Sequence, residues 1–170
     1  MKNFRVCACA TLVSLLSGCS VFTEPGPERY SALLKVDATR SPVIAAPNAT
    51  GSALFSRRRT LLDFIVDVSS LSSSATAAHI HGPAAPGAVA EILVEFRIAP
   101  ATTGARLAGG VLSSSASPRV PFDSLLALMR TGNAYLDVHT ELNPAGEIFG
   151  QIERGDLISP NRGEGPNPDR

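Results

Sequence analysis

The stretch Ala78-His79-Ile80-His81-Gly82-Pro83, taken with Tyr135-Leu136-Asp137-Val138-His139-Thr140, decides how this chain folds. Side chains along a β-strand alternate between its two faces. The first segment therefore puts His79 and His81 on one side and Ile80 on the other. The second puts Leu136 and Val138 on one side, Asp137 and His139 on the other. Each has an apolar face suited to a core and a polar face carrying imidazole. The chain has 3 histidines and all of them fall here, so its chemistry is expected on the polar face of these two strands.

Further short strands are expected at Tyr30–Ala38, Gly51–Ser56, Thr60–Val68, Val89–Ile98, Ala105–Leu112 and Glu147–Glu153, with the histidine strands at Ala75–His81 and Asn133–Thr140. In the third of these, Leu62, Phe64, Val66 and Val68 share one face. Turn signals separate the strands. Gly82-Pro83-Ala84-Ala85-Pro86-Gly87 can be neither helix nor central strand. Asn143-Pro144-Ala145-Gly146 suits a type I turn, and Gly109-Gly110 marks an expected bulge. Residues 40–50 hold two prolines and no period, which predicts a loop. One helix is expected at Phe122–Arg130, capped by Asp123, with Leu125, Leu126 and Met129 at helical spacing and Gly132 ending it. Many short strands and a single crossover helix predict an all-β, antiparallel Greek-key β-sandwich or barrel.

The chain's first residues read as an address. Lys2 and Arg5 precede the apolar run Val6–Leu16, which ends in Leu16-Ser17-Gly18-Cys19. That ending resembles the bacterial lipobox, in which the cysteine sulfur receives a diacylglycerol. Residues 1–18 are then a lipoprotein signal peptide and Cys19 the lipidation site, and the alternative is an ordinary signal peptide that leaves a free thiol. Ser20 favours the outer membrane by resemblance to Gram-negative sorting rules. The expected location is the bacterial cell envelope, with membrane contact through lipidated Cys19. Residues 19–29, rich in Pro, Gly and charge, form a tether to a β domain at 30–153. The stretch 154–170 has no periodicity and is expected to be a disordered tail.

Composition narrows the function classes. Of the 3 cysteines, Cys7 and Cys9 leave with the signal and Cys19 is acylated. None remains for a disulfide, a zinc–thiolate site or a nucleophilic thiol, so the domain depends on its core. With 15 basic and 15 acidic residues overall, the chain lacks the basic footprint that nucleic acid requires. The basic run Arg57-Arg58-Arg59 fits a solvated turn or a contact with anionic lipid head groups. There is no G-x-S-x-G elbow and no phosphate loop. Glu147 reads either as a general base or as a carboxylate capping turn amides, and Tyr135 as a rim residue.

The succession HIHGPA at 79–84, then AYLDVHT at 134–140, NP at 143–144, GEI at 146–148 and GQ at 150–151 resembles the CHRD domain, named for chordin and found also in bacterial secreted proteins. The usual family pattern in the second block reads close to AYVNVHT…NPGGEIRGQ. This chain has Asp137 where that pattern carries Asn, and Phe149 where it carries Arg. The resemblance implies an immunoglobulin-like or superoxide-dismutase-like antiparallel β fold, and no known reaction.

His-X-His on one strand with a single His on a later one is also similar to the copper-ligand arrangement of copper–zinc superoxide dismutases. Imidazoles at i and i+2 start about 6.5–7 Å apart at Cα and can close on one ion. Three neutral imidazoles from His79, His81 and His139 suit copper or zinc, with Asp137 orienting an imidazole or adding an oxygen ligand. With no fourth histidine the zinc-bridging ligand of the dismutases has no counterpart, which sets the dismutase reaction aside. The competing reading gives each histidine a loop carbonyl to bond. Two functions follow: a non-enzymatic, lipid-anchored binding or assembly module with a protein or polymer partner, or a copper- or zinc-binding protein for envelope metal handling or redox protection.

Overall fold

The computed structural model describes residues 26–37, 39, 44, 47–113 and 119–157. The signal peptide at 1–18, the lipidation site Cys19, most of the tether and residues 158–170 of the tail lie outside the described residues. Within them the chain forms β1 (Glu28–Lys35), β2 (Thr50–Arg58), β3 (Leu61–Ser69), β4 (Ala75–His81), β5 (Ile92–Glu95), β6 (Ala105–Ser113), α1 (Phe122–Arg130), β7 (Tyr135–Thr140), β8 (Ile148–Gln151) and β9 (Glu153–Arg154).

All strand pairs are antiparallel and belong to one sheet in the order β5-β4-β7-β8-β1-β2-β3-β6, with β9 continuing beside β1. The connections from β3 to β4 and from β5 to β6 cross between the two ends of that order. The fold is therefore all-β, a single sheet curled into a half-barrel. Its two edges approach each other beyond β5, where the Ala99 N–H donates to Leu107 O of β6 at 2.7 Å.

The inner face carries the alternate apolar residues that the sequence marked. Leu34, Leu62, Val66, Ile80, Leu136, Val138, Ile148 and Ile152 are each at most 1% exposed and belong to one cluster. The helix adds Phe122, Leu125, Leu126 and Met129 to the same core; each such side chain contributes about 1.5–3 kcal/mol by leaving water. Where β8 crosses β1, a Cβ on Gly150 would lie 2.4 Å from Leu33 O, so only glycine lets these two backbones meet.

Four local expectations are corrected. The helix starts two residues too early for Asp123 to cap it; Pro121 occupies the cap without a side-chain bond, and Asp123 sits in the first turn, where its charge complements the helix dipole. The sheet irregularity falls between Val66 and Asp67, opposite Ala108 and Arg106. Gly109 and Gly110 instead pair regularly with Ile65 and Phe64. Strand β5 is shorter than Val89–Ile98, because residues 89–91 turn away to cover the histidine face. Order also runs past the expected boundary at 153. Arg154 pairs with Tyr30, the Gly155 N–H donates to Arg29 O at 2.8 Å, and Arg29 meets Asp156 at 3.0 Å. At this end Glu28 accepts from Arg130 at 2.8 Å and from Arg57 at 3.2 Å. The Arg130 guanidinium foremost, with Tyr30 and Arg57, outweighs burial and holds the Glu28 carboxyl down at about 2.

Candidate metal centre

Strands β4 and β7 are immediate neighbours, and their register sets His79 opposite Asp137, His81 opposite Tyr135 and Ala77 opposite His139. Ala78, Ile80, Leu136 and Val138 turn into the core, fully buried. By alternation His79, His81, Asp137 and His139 share the other face, as the sequence implied. The structure brings all four together: one ligand-type atom from each lies within 4.8 Å of the other three.

The closest approaches are His79 Nδ1 to His139 Nε2 at 3.2 Å, His79 Nδ1 to Asp137 Oδ1 at 3.4 Å, His81 Nε2 to Asp137 Oδ2 at 3.0 Å and His139 Nε2 to the same oxygen at 3.1 Å. Nitrogen and oxygen ligands about 2.0–2.1 Å from a tetrahedral zinc stand about 3.3 Å from one another. These four contacts bracket that value, and the set as a whole lies within 4.8 Å.

This face is polar yet covered. Residues 82–91 fold back over it, held by the Gly82 N–H on Glu91 O and the Ala84 N–H on Asn133 O, and by Gln151 Nε2 donating to Ala84 O. Ala84, Tyr135 and Phe149 form a small apolar cluster of their own beside the histidines. Tyr135, expected at a rim, is 2% exposed and stacks on the His81 ring with centroids 4.8 Å apart. His79 and His81 are each 8% exposed and Asp137 is 3% exposed. The His139 side chain, at 17%, forms the edge nearest solvent.

The loops also fix the tautomers. His81 Nδ1 lies 2.8 Å from Ala90 O, and His139 Nδ1 lies 2.9 Å from Pro144 O. A carbonyl can only accept, so both Nδ1 atoms carry the proton and donate. In the neutral rings each Nε2 then presents a lone pair toward the cluster, which is how metal-ligating imidazoles are usually set. The loop-carbonyl reading and the metal-ligand reading thus hold together, one for each nitrogen of the same ring. Carbonyls occupy the outer nitrogens of two rings, and the carboxylate stands among the inward-facing ones.

Two atoms of the cluster, His81 Nε2 and Asp137 Oδ1, are buried without a hydrogen-bond partner among the described residues. His81 Nε2 is 3.0 Å from Asp137 Oδ2, close enough for a bond but not aligned as one. Burial is the largest influence on Asp137 and pushes its carboxyl up. The His139, His79 and His81 imidazoles together outweigh it and hold the group well below the usual carboxylate range. Burial likewise pulls His81 and His139 down, but the Asp137 carboxylate and the loop carbonyls leave both above the ordinary histidine value.

Glu147 resolves the other way. It is fully buried and accepts from the Ser72 N–H at 2.8 Å, the Ser72 hydroxyl, the Thr140 hydroxyl at 2.6 Å and Asn143 Nδ2 at 2.8 Å. With both oxygens engaged it caps the turn at 143–146, where the Gly146 N–H donates to Asn143 O at 3.0 Å. Sequence reasoning missed the carbonyls of Ala90 and Pro144, since backbone acceptors leave no residue signature. It also missed the stacking of Tyr135; the period-two pattern that put Tyr135 on the face of Asp137 and His139 could have found it.

Fold and site together define a half-barrel β domain with a covered three-histidine, one-carboxylate cluster on its outer face. The CHRD domain family model matches residues 30–152, most of the chain, and the chain belongs to that family. No curated protein matches it, and no solved structure does.

Proposed function

We propose that this chain is a non-enzymatic, transition-metal-binding CHRD domain that holds copper or zinc at His79, His81 and His139 with Asp137, tethered by lipid at Cys19 to the bacterial envelope. One observation carries the metal reading: inward-facing nitrogens and a carboxylate converge within 4.8 Å while backbone carbonyls hold the outer nitrogens of His81 and His139. A cluster serving only to pack the loops would need those outer bonds but not the orphaned inward atoms. Only the His139 edge approaches solvent, so a bound ion is enclosed, which favours holding or passing on the metal over turning over a substrate.

The anchor reading rests on Leu16-Ser17-Gly18-Cys19, and Ser20 directs it to the outer membrane. Between Cys19 and the start of β1 at Glu28 the chain is short, which keeps the domain close to the membrane. Metal handling or redox protection in the envelope is the corresponding role, with a protein or polymer partner receiving the domain.

Elemental analysis and calorimetric titration of the purified protein with Zn(II) and Cu(II) test the metal reading. One ion per chain is expected, and absence of stoichiometric binding of either metal overturns it. Radiolabelled palmitate incorporation that disappears in Cys19→Ser tests the anchor separately.

A further inference from the structure

Resting on the metal reading above, we propose that Asp137 is a ligand in its own right and tunes the centre to a divalent ion, Cu(II) or Zn(II), against Cu(I). The orphaned atoms point this way. Asp137 Oδ1 has no hydrogen-bond partner although the residue is 3% exposed, and His81 Nε2 has none although it is 8% exposed. An unpaired buried polar atom is costly, and here two of them belong to groups 3.0 Å apart that fail to align on each other. Both groups belong to the set whose ligand-type atoms lie within 4.8 Å of one another, and a cation among them would satisfy both.

Charge and ligand softness set which cation. The inward donors are three imidazole nitrogens and one carboxylate, a hard oxygen beside borderline nitrogens. Cu(I) is selected by thiolate and thioether sulfur, and among the described residues none stands here: Met129 is fully buried in the core cluster beneath the sheet. The attraction of a cation to the carboxylate scales with its charge, so Asp137 favours M²⁺ over M⁺ where three neutral imidazoles alone discriminate less. For copper, taking up one electron to pass from Cu(II) to Cu(I) forfeits part of that attraction, and the carboxylate lowers the midpoint potential.

The test compares the full-length protein with Asp137→Asn, which keeps the shape and removes the charge, and with Asp137→Glu, which keeps the charge. Each is titrated with Zn(II), with Cu(II), and with Cu(I) anaerobically against a competing chelator, and copper-loaded samples are taken through a redox titration. Asp137→Asn is expected to lose at least about tenfold in Zn(II) and Cu(II) affinity and less than about threefold for Cu(I). Its copper midpoint should rise by about 59 mV for each tenfold change in that ratio. Asp137→Glu should retain the wild-type order of the three ions, and it keeps the question decidable if the amide variant does not fold. Equal losses for all three ions in Asp137→Asn, unchanged affinities there, or a preference for Cu(I) in the wild type would overturn this inference while leaving the metal site standing. Failure of the wild type to bind any of the three ions would instead remove the metal reading itself.

Discussion

Asp137 and Glu147 are two buried carboxylates ten positions apart, and the contrast between them separates building from binding. Glu147 meets only neutral donors and is complete: hydroxyls, an amide and a backbone N–H account for both its oxygens. Asp137 meets imidazoles at 3.0–3.4 Å and is incomplete, with Oδ1 unpartnered. Both are held below their ordinary pKa values against burial, so titration behaviour alone does not tell them apart. What does is whether the protein supplies every partner itself. A carboxylate that needs nothing further stabilises the fold, and one left with open valence is where the proposed cation is tested.

The largest expected effect lies at the incomplete cluster. His79→Ala combined with His139→Ala should abolish stoichiometric metal and lower Zn(II) affinity by more than about a thousandfold, on the order of 4 kcal/mol. The pair also removes two imidazole contacts to buried Asp137 and the His139 bond to Pro144 O, so the melting temperature of the metal-free variant is measured alongside to separate lost folding from lost binding. Metal bound at wild-type strength by this variant would break the comparison outright.

At the complete cluster the expected loss is in folding. Glu147→Ala strands the donors of Ser72, Thr140 and Asn143 and should cost about 3 kcal/mol in denaturant unfolding, with metal stoichiometry unchanged in the fraction that remains folded. The sign with pH follows from its lowered pKa. A carboxyl depressed below 4.5 gives stability that is complete above that value and is lost as pH falls through the folded pKa. Glu147→Gln should therefore flatten the acid limb of the stability curve below pH about 4.5. An unaltered acid limb in that variant would mean the network contributes nothing through charge.

Strand alternation made most of the fold legible. β4 at Ala75–His81 and α1 at Phe122–Arg130 fall where the sequence put them, because a half-buried sheet and an amphipathic helix write their periods into residue order. The three histidines were legible for the same reason, being at matching positions on strands that proved to be neighbours. The inward place of Asp137 was not, since residue order shows a shared face but not which ring nitrogen the loops already hold. Nor was the cover. Residues 82–87 read as a loop and 89–98 as a strand, yet residues 82–91 together bury Tyr135 and deliver Ala90 O, and neither result comes from periodicity.

The smallest expected effect tests that cover. Tyr135 stacks on His81 with ring planes 2° apart, and its hydroxyl accepts a 3.4 Å bond from the Ala90 N–H. The ring is the part that lies against His81. Tyr135→Phe should keep Zn(II) affinity within about threefold, matching a weak neutral hydrogen bond of at most about 0.5–1 kcal/mol. Tyr135→Ala frees the imidazole and should cost about tenfold, the range seen when groups behind a ligand are lost. The chain has no tryptophan and 2 tyrosines, so Cu(II) added to the wild type should quench emission from Tyr135, beside the centre. In Tyr135→Phe only Tyr30 remains to emit, and it lies fully buried in the core on the opposite face of the sheet. Quenching that survives Tyr135→Phe undiminished would place the copper away from His81, on a surface where the contrast between the two carboxylates has no bearing.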